Sequence, residues 1–110
     1  MSKKLIALCA CPMGLAHTFM AAQALEDAAR EAGYDEIKIE TQGADGIQNR
    51  LTAEDIAGAD IIIHAIAITP EDSERFEHVD VYEITLQDAI KNPGGTLREI
   101  EAMIREEHQK

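Results

Sequence analysis

The chain has 110 residues, the usual size of one domain with a single core. Its apolar fraction of 45% and charged fraction of 28% are ordinary for a folded globular protein. A formal net charge of -11 argues against sequence-independent binding to nucleic acid, because a phosphate backbone would be repelled over most of the surface. We therefore interpret residues 1–110 as one globular domain that does not act on nucleic acid.

No apolar run approaches the roughly 18 residues that span a bilayer, and the N-terminus lacks the apolar segment and cleavage site of a signal peptide. We therefore expect a cytoplasmic protein. Its two cysteines, Cys9 and Cys11, would then be thiols rather than a structural disulfide. The acidic residues are unevenly distributed, and none falls within residues 1–25, so this end of the protein tolerates an anion.

The first third of the chain predicts a strand, a helix and a second strand. The continuous apolar run 5–9 is typical of a strand covered on both faces. Apolar residues at helical spacing then predict a helix that starts near Leu15 and stops at Gly33. Residues 36–42 alternate, which predicts a strand whose even-numbered residues, including Glu40, lie on a solvated face or an edge.

The middle of the chain predicts a turn, a short helix and a third strand. Residues 43–46 indicate the turn. The sequence from Thr52 to Asp55 resembles a capping box that opens a short helix, although its fourth residue is Asp rather than Glu. Residues 60–66 form the second continuous apolar run, which predicts another strand covered on both faces.

The last third predicts a weaker strand between helical segments. Residues 70–77 are a polar connection with one helical turn, residues 79–84 predict the strand, and residues 85–90 predict a short helix. The sequence Asn-Pro-Gly-Gly at 92–95 then breaks the chain. Apolar residues from Leu97 onward predict a final amphipathic helix that ends in polar residues.

This alternation of strands and helices predicts an α/β fold of the Rossmann-like kind. We expect a three-layer, open, parallel, four-stranded sheet of order 2-1-3-4 with helices on both faces, because two strands are covered on both sides and two resemble edges. In such sheets, ligands bind at the carboxyl ends of the central strands, where the connections leave in opposite directions. Cys11 lies at the predicted crevice.

One segment combines a nucleophile with a helix start, and it reads Cys11, Pro12, Met13, Gly14, Leu15, Ala16, His17 and Thr18. Unpaired main-chain N–H groups at a helix start favour negative charge, so they would stabilise a thiolate and could then receive phosphoryl oxygens. Gly14 lets the backbone approach a phosphate closely. Because phosphoryl transfer needs mainly positioning and charge stabilisation, such a loop could support it without a metal. We predict Cys11 as the catalytic residue and Met13 to Thr18 as the phosphate-binding residues.

Several cysteine, histidine and threonine residues besides Cys11 allow more than one interpretation. Cys9 falls within the strand and on the same side as Cys11, which favours a packing role in the core. It could also form a redox pair with Cys11. His17 either donates to a bound phosphoryl group or is a solvated polar residue. Thr18 could instead satisfy helix-end groups. His64 lies inside a central strand, which is more typical of a hydrogen-bonded core histidine than of a ligand.

These residues carry a resemblance to a known family. The chain resembles the enzyme IIB components of the fructose family of the bacterial sugar phosphotransferase system, particularly the free-standing fructose-like ones. The resemblance rests on the run from Cys11 to Thr18 and spans nearly the whole domain. Its other matching stretches are Met20-Ala21-Ala22, Glu40-Thr41-Gln42-Gly43, Leu51-Thr52-Ala53-Glu54-Asp55-Ile56 and Glu74-Arg75-Phe76.

The resemblance implies a transferase component with a phosphocysteine intermediate and no cofactor. Cys11 would accept a phosphoryl group from a phosphohistidine on a IIA partner and give it to a fructose-like sugar held by a membrane IIC permease. Both partners would be separate chains, met in the cytoplasm or at the inner face of the membrane. Two departures, Met13 where the family commonly has Thr and residues 65–67 where it often has an Asp, leave partner and sugar preference open.

Two alternatives remain open. A thiol phosphatase of the low-molecular-weight tyrosine phosphatase type also places a cysteine loop after the first strand, but it needs an Arg six residues after the cysteine. That position here is His17, and no Arg occurs before Arg30, so the bidentate phosphate clamp would be missing. A metal or redox site of Cys9, Cys11 and His17 would fall short of the four ligands of a structural zinc site.

Overall fold

The computed structural model describes residues 3–11, 15–43 and 46–108, and for residues 15–17 and 108 the main chain only. A twisted β-sheet organises these residues, with helices packed on both of its faces. The strands are β1 (Lys4–Ala10), β2 (Glu36–Gly43), β3 (Gly46–Gln48), β4 (Ile61–Ile66) and β5 (Tyr82–Ile84). The helices are α1 (Leu15–Glu31), α2 (Ala53–Gly58), α3 (Leu86–Lys91) and α4 (Pro93–His108), with a 3-10 turn at Ser73–Phe76.

The four predicted strands are present and parallel, in the predicted order, as β2-β1-β4-β5. The described sheet nevertheless has five strands rather than four, because β3 adds an antiparallel partner at the edge of β2. Gly46 begins β3 with a φ of +92°, a conformation that favours glycine. The short strand gives the main chain of β2 a second hydrogen-bonding partner where an open edge was expected.

Two clusters of buried side chains cover the two faces of the sheet. The larger one joins alternate residues of β1 and β4 to α1, α3 and α4, and the smaller one joins the intervening residues to α2 and the 3-10 turn. Because β1 and β4 are buried on both faces, they read as continuous apolar runs in the sequence, as predicted. No helix in the described ranges combines the length and apolar character that crossing a membrane requires.

Several predicted helix boundaries are confirmed by their local chemistry. Thr52 caps α2, and its hydroxyl accepts from the Asp55 main-chain N–H while the Asp55 carboxylate accepts from the Thr52 N–H. The capping box therefore forms with Asp in place of Glu. Gly33 follows α1 with a φ of +95°, which is the expected left-handed stop.

The predicted break at residues 92–95 is wrong in its extent. Only Asn92 interrupts the helices, since it closes α3, and Pro93 already begins α4. Proline suits a first helical position because its missing N–H would have no partner there. The Asn92 carbonyl instead accepts from the Thr96 N–H at 3.0 Å. A Cβ on Gly95 would stand 2.5 Å from Nδ2 of Asn92, so a larger residue there would require the Asn92 side chain to move.

Candidate functional site

Cys11 follows β1 directly and lies at the carboxyl ends of the central strands. Its main-chain N–H donates to the Gln42 carbonyl of β2 at 3.2 Å. On the other side, the Ala10 carbonyl accepts from the N–H of Ala67, the residue that follows β4, at 3.0 Å. The chain leaves β1 toward β2 on one side and enters β4 on the other, so Cys11 stands at the point where the strand order reverses.

Two open clefts adjoin Cys11. The larger, of about 490 Å³, runs toward α3 and is lined by Cys11, Met20, Ile66, Ala67, Thr85, Leu86, Gln87, Ile90 and Lys91. The smaller, of about 140 Å³, runs toward the β2–β3 edge and is lined by Cys11, Gln42, Gly43, Gly46, Ile47, Ile68 and Glu71. A molecule of moderate size can therefore approach the neighbourhood of the sulfur from two directions, although the Cys11 residue itself is only 7% exposed.

Cys9 differs from Cys11 in its surroundings. It is 0% exposed, packs in the larger core cluster and lines neither cleft. Burial in this apolar core raises the pKa of the Cys9 thiol to about 12, so the thiol stays neutral at physiological pH. Cys11 belongs to the same cluster, which confirms the prediction that the two cysteines lie on the same side of the strand. The surroundings of Cys9 fit a packing residue.

The predicted phosphate-binding residues fall partly outside the structural description. Met13 and Gly14 lie outside the described residues. Leu15, Ala16 and His17 form the first turn of α1, and nothing is described of their side chains. Their roles, and the possible metal or redox role of His17, stay predictions. Within the described ranges, no group of three or more His, Cys, Asp or Glu is arranged to hold a metal ion.

Thr18 is the one predicted phosphate-binding residue whose side chain is described. It is 2% exposed, and its Oγ1 has no hydrogen-bond partner among the described residues. This hydroxyl lies 3.9 Å from the point where a Cβ on Gly43 would stand, so it faces the end of β2 next to Gln42. A buried hydroxyl usually finds a partner. Thr18 therefore has hydrogen-bonding capacity left beside the Cys11 region.

A buried polar network lies next to this region, and the alternation of β2 failed to predict it. Glu40 is 0% exposed rather than solvated, and its carboxylate accepts two hydrogen bonds from the Arg75 guanidinium, at 2.9 and 3.0 Å. The Leu51 N–H and the Gln42 amide each donate to the same carboxylate at 2.7 Å. The sequence signal for Glu40, Gln42 and Arg75 was their place in two stretches of the family resemblance, residues 40–43 and 74–76.

The network explains how a carboxylate is tolerated inside the fold. Burial raises the pKa of Glu40, but the hydrogen bonds from Arg75, Leu51 and Gln42 outweigh it and hold that pKa below the usual Glu value. The same ion pair raises the pKa of Arg75. Both groups are therefore charged at neutral pH, and their partners satisfy them.

His64 is a core histidine, as predicted, but its Nε2 has no hydrogen-bond partner among the described residues. Its ring meets Phe76 edge to face at a centroid distance of 4.6 Å. Burial, and then the nearby charge of Arg75, lower the pKa of His64 to about 4. The ring is therefore neutral at physiological pH and packs as part of the core.

The different surroundings of the two thiols predict selective alkylation. In the folded chain at pH 7.5, we expect iodoacetamide to modify Cys11 and leave Cys9 unmodified, because the thiolate is the nucleophile and Cys9 is both inaccessible and neutral. Mass spectrometry of timed digests measures both sites. In urea the two cysteines should react at similar rates, and equal rates in the folded protein would contradict the assignment.

The described residues define a class of protein. It is an α/β domain in which a cysteine stands shortly before a helix, at the point where the strand order reverses. Comparison with known proteins narrows this class. Residues 6–99 match the family described as "PTS system, Lactose/Cellobiose specific IIB subunit". The chain therefore belongs to the IIB components of the sugar phosphotransferase system. Its membership gives it a phosphoryl carrier role in sugar uptake and makes it part of a transferase.

Curated relatives in this family are named as fructose-like components. PTS system fructose-like EIIB component 1 of Escherichia coli (strain K12) is 80% identical over 109 residues, which cover 99% of this chain and 100% of the relative. PTS system fructose-like EIIB component 2 of the same strain is 46% identical over 99 residues, which cover 90% of this chain and 92% of the relative. The resemblance stated from the sequence is confirmed.

Solved structures agree with the described fold. The solution structure of an enzyme IIB subunit from Escherichia coli K12 superposes with a TM-score of 0.91 at 80% identity, covering 98% of this chain and 99% of that one. A domain of the fructose-specific IIABC component from Borrelia burgdorferi gives a TM-score of 0.83 at 40% identity, covering 90% and 93%. The predicted Rossmann-like α/β class is confirmed, with the added edge strand β3.

Proposed function

We propose that this chain carries a phosphoryl group on Sγ of Cys11 during the uptake of a fructose-like sugar. The observation that carries the proposal is the position of Cys11, at the carboxyl ends of the two central strands and beside two clefts. Helix α1 begins four residues later. Main-chain N–H groups at a helix start favour an anion, whether a thiolate or a phosphoryl group.

The proposed reaction has two displacements at phosphorus. Sγ of Cys11, as the thiolate, attacks the phosphoryl group of a phosphohistidine on a IIA partner, so that a P–S bond forms and the P–N bond breaks. A sugar hydroxyl then attacks the same phosphorus, forming a P–O bond and breaking the P–S bond, and the hydroxyl proton is lost. The thiolate is regenerated. Each step needs mainly positioning and charge stabilisation.

Residues 13–18 are the proposed receivers of the phosphoryl oxygens. Thr18 supports this part of the proposal, because its buried hydroxyl has no other partner in the described part of the chain. A phosphoryl oxygen would supply the missing acceptor. The side chain of His17 could add a second donor, as its sequence position predicts.

The surface near Cys11 suits docking of partner proteins. Two of the large apolar side chains that the described part of the chain exposes, Met20 and Ile68, lie beside this site. Met20 lines the larger cleft and Ile68 the smaller. The first 25 residues contain no acidic side chain, and among the described residues the larger cleft is lined by Lys91 and by no carboxylate, which favours the approach of a phosphorylated partner from that side. We propose that a IIA protein and a membrane IIC permease dock here in turn, on the cytoplasmic side of the membrane.

The experiment that tests this function is phosphoryl labelling of the purified chain. We expect a phosphoenolpyruvate-driven donor relay ending in a fructose-type IIA protein to place one phosphoryl group per chain, located by mass spectrometry on Cys11. Omitting the IIA protein should abolish the label. Label on another residue, or no label with a competent relay, would contradict the proposal. Turnover of p-nitrophenyl phosphate without a relay would favour the phosphatase alternative.

A further inference from the structure

Gln42 connects the main chain of Cys11 to one wall of the smaller cleft. It lies near the end of β2, opposite Ala10 of β1, and its side chain is buried. Its main-chain carbonyl accepts the Cys11 N–H at 3.2 Å. Its amide Oε1 accepts the Glu71 N–H at 2.8 Å, and its amide Nε2 donates to the Glu71 carbonyl at 3.1 Å. One residue thus contacts both the cysteine segment and residue 71.

The segment 67–71 is held at both of its ends near Cys11. At its start, the Ala67 N–H donates to the carbonyl of Ala10, the residue before the cysteine. At its end, the two hydrogen bonds between Glu71 and the Gln42 amide form the other attachment. Ile68 and Glu71 of this segment line the smaller cleft together with Cys11. We name residues 67–71 the cleft wall.

The Gln42 amide is itself held in one orientation. Its Nε2 also donates to the Glu40 carboxylate at 2.7 Å, and that carboxylate is fixed by Arg75. Because the carboxylate accepts only, the amide must present Nε2 toward Glu40, which leaves Oε1 for the Glu71 N–H. The buried ion pair therefore selects the side-chain orientation that can bind both main-chain groups of Glu71.

From this geometry we infer that Gln42 is a positioning residue for the reaction at Cys11, which it serves by holding the cleft wall in place beside the sulfur. The inference rests on the proposed function of Cys11. The role that we infer for Gln42 is indirect. It acts through the wall, which borders the smaller cleft and limits the approach of water and small molecules to the thiol and its phosphorylated form from that side.

The test replaces Gln42 by Met, which has a similar length and keeps the main-chain bond to Cys11 but loses the hydrogen bonds of the amide. The matched control is Gln23→Met, the same change on the exposed side of α1, where the Gln23 amide donates to Glu26 and Asp27. We expect Gln42→Met to raise the rate of Cys11 alkylation by iodoacetamide about tenfold, because the two hydrogen bonds that hold the wall at Glu71 are lost. The control should match the parent chain.

A second readout follows the phosphorylated protein. After the donor relay is removed, the label on Cys11 should be lost to water about tenfold faster in Gln42→Met than in the parent chain. Circular dichroism and urea unfolding establish that each variant is folded under the assay conditions. A folded Gln42→Met chain with the parent's alkylation rate and label lifetime would overturn the inference, as would equal acceleration by Gln23→Met.

The two arms separate this inference from the proposed function. Alkylation requires no phosphoryl group, so it tests the cleft wall even if the parent chain fails to accept label. If the parent chain is labelled on Cys11 but Gln42→Met changes neither rate, the carrier function stands and the positioning role of Gln42 is rejected. If alkylation accelerates but no parent label forms, the wall is real and the function needs revision.

Discussion

Replacement of Cys11 by serine is expected to reduce phosphoryl transfer to the chain by at least about a hundredfold, because a hydroxyl without an adjacent base is a far weaker nucleophile than a thiolate. Two clefts give access to this position. The rate of label incorporation from the donor relay measures the effect. Thermal unfolding of the variant establishes that it is folded under the assay conditions.

The control for this prediction is the neighbouring cysteine. Cys9→Ala should keep label incorporation within about twofold of the parent, because Cys9 lines neither cleft and is fully buried. Alanine is preferred to serine here, since a serine hydroxyl would be buried in an apolar core. Undiminished labelling of Cys11→Ser, or complete loss in a folded Cys9→Ala chain, would refute the assignment of the nucleophile.

The second large effect is expected for stability. Arg75→Met should lower the free energy of unfolding by about 3–5 kcal/mol, because it leaves the Glu40 carboxylate buried without its cation. That is a large part of the roughly 5–15 kcal/mol that stabilises a domain of this size. Arg30→Met is the matched control: its ion pair with Glu26 lies at the surface, so we expect a loss within about 0.5 kcal/mol. Urea unfolding measures both.

The stability of the parent chain and that of Arg75→Met should depend differently on pH. In the parent chain the pKa of Glu40 is held below its usual value of about 4.3, so the stabilisation is present above that pH and is lost as the pH falls below it. In Arg75→Met, the hydrogen bonds from Leu51 and Gln42 remain, but the guanidinium no longer offsets the burial of the Glu40 carboxylate, so protonation of Glu40 relieves part of the penalty. The stability difference between the two proteins should narrow from pH 7 to pH 5. A constant difference would place the effect of Arg75 outside this ion pair.

Local sequence signals predicted most of the fold because their causes are local. The apolar runs that became β1 and β4 are buried on both faces, and Thr52 caps α2 through bonds within four residues. The break assigned to residues 92–95 failed because proline and glycine occur both in loops and at helix starts. Only the hydrogen bond from Thr96 to Asn92 distinguishes the two cases.

The environment of Glu40 could not be read from the alternation of β2. Its partner, Arg75, lies 35 residues away along the chain, and the strand that covers the edge of β2 has only three residues. Both facts depend on tertiary structure. The location of Cys11 was easier to predict, because the strand, the loop and the helix start are contiguous in the sequence. The clefts beside Cys11 and the contacts of Gln42 could not be predicted in this way, because they depend on how four segments that are separate in the sequence pack together.

The direction of β1 has a practical consequence for engineering. Lys3 lies at the amino edge of the sheet, where its carbonyl accepts from Asp35 and Glu36, whereas Cys11 lies at the opposite edge. Seven strand residues separate Lys3 from Cys11, a span of about 26 Å at the usual rise of about 3.3 Å per residue. A fluorescent label or a tether attached before Lys3 would therefore be joined far from the thiol. Chains immobilised in this way should keep the edge of the sheet at Cys11 open to partner proteins.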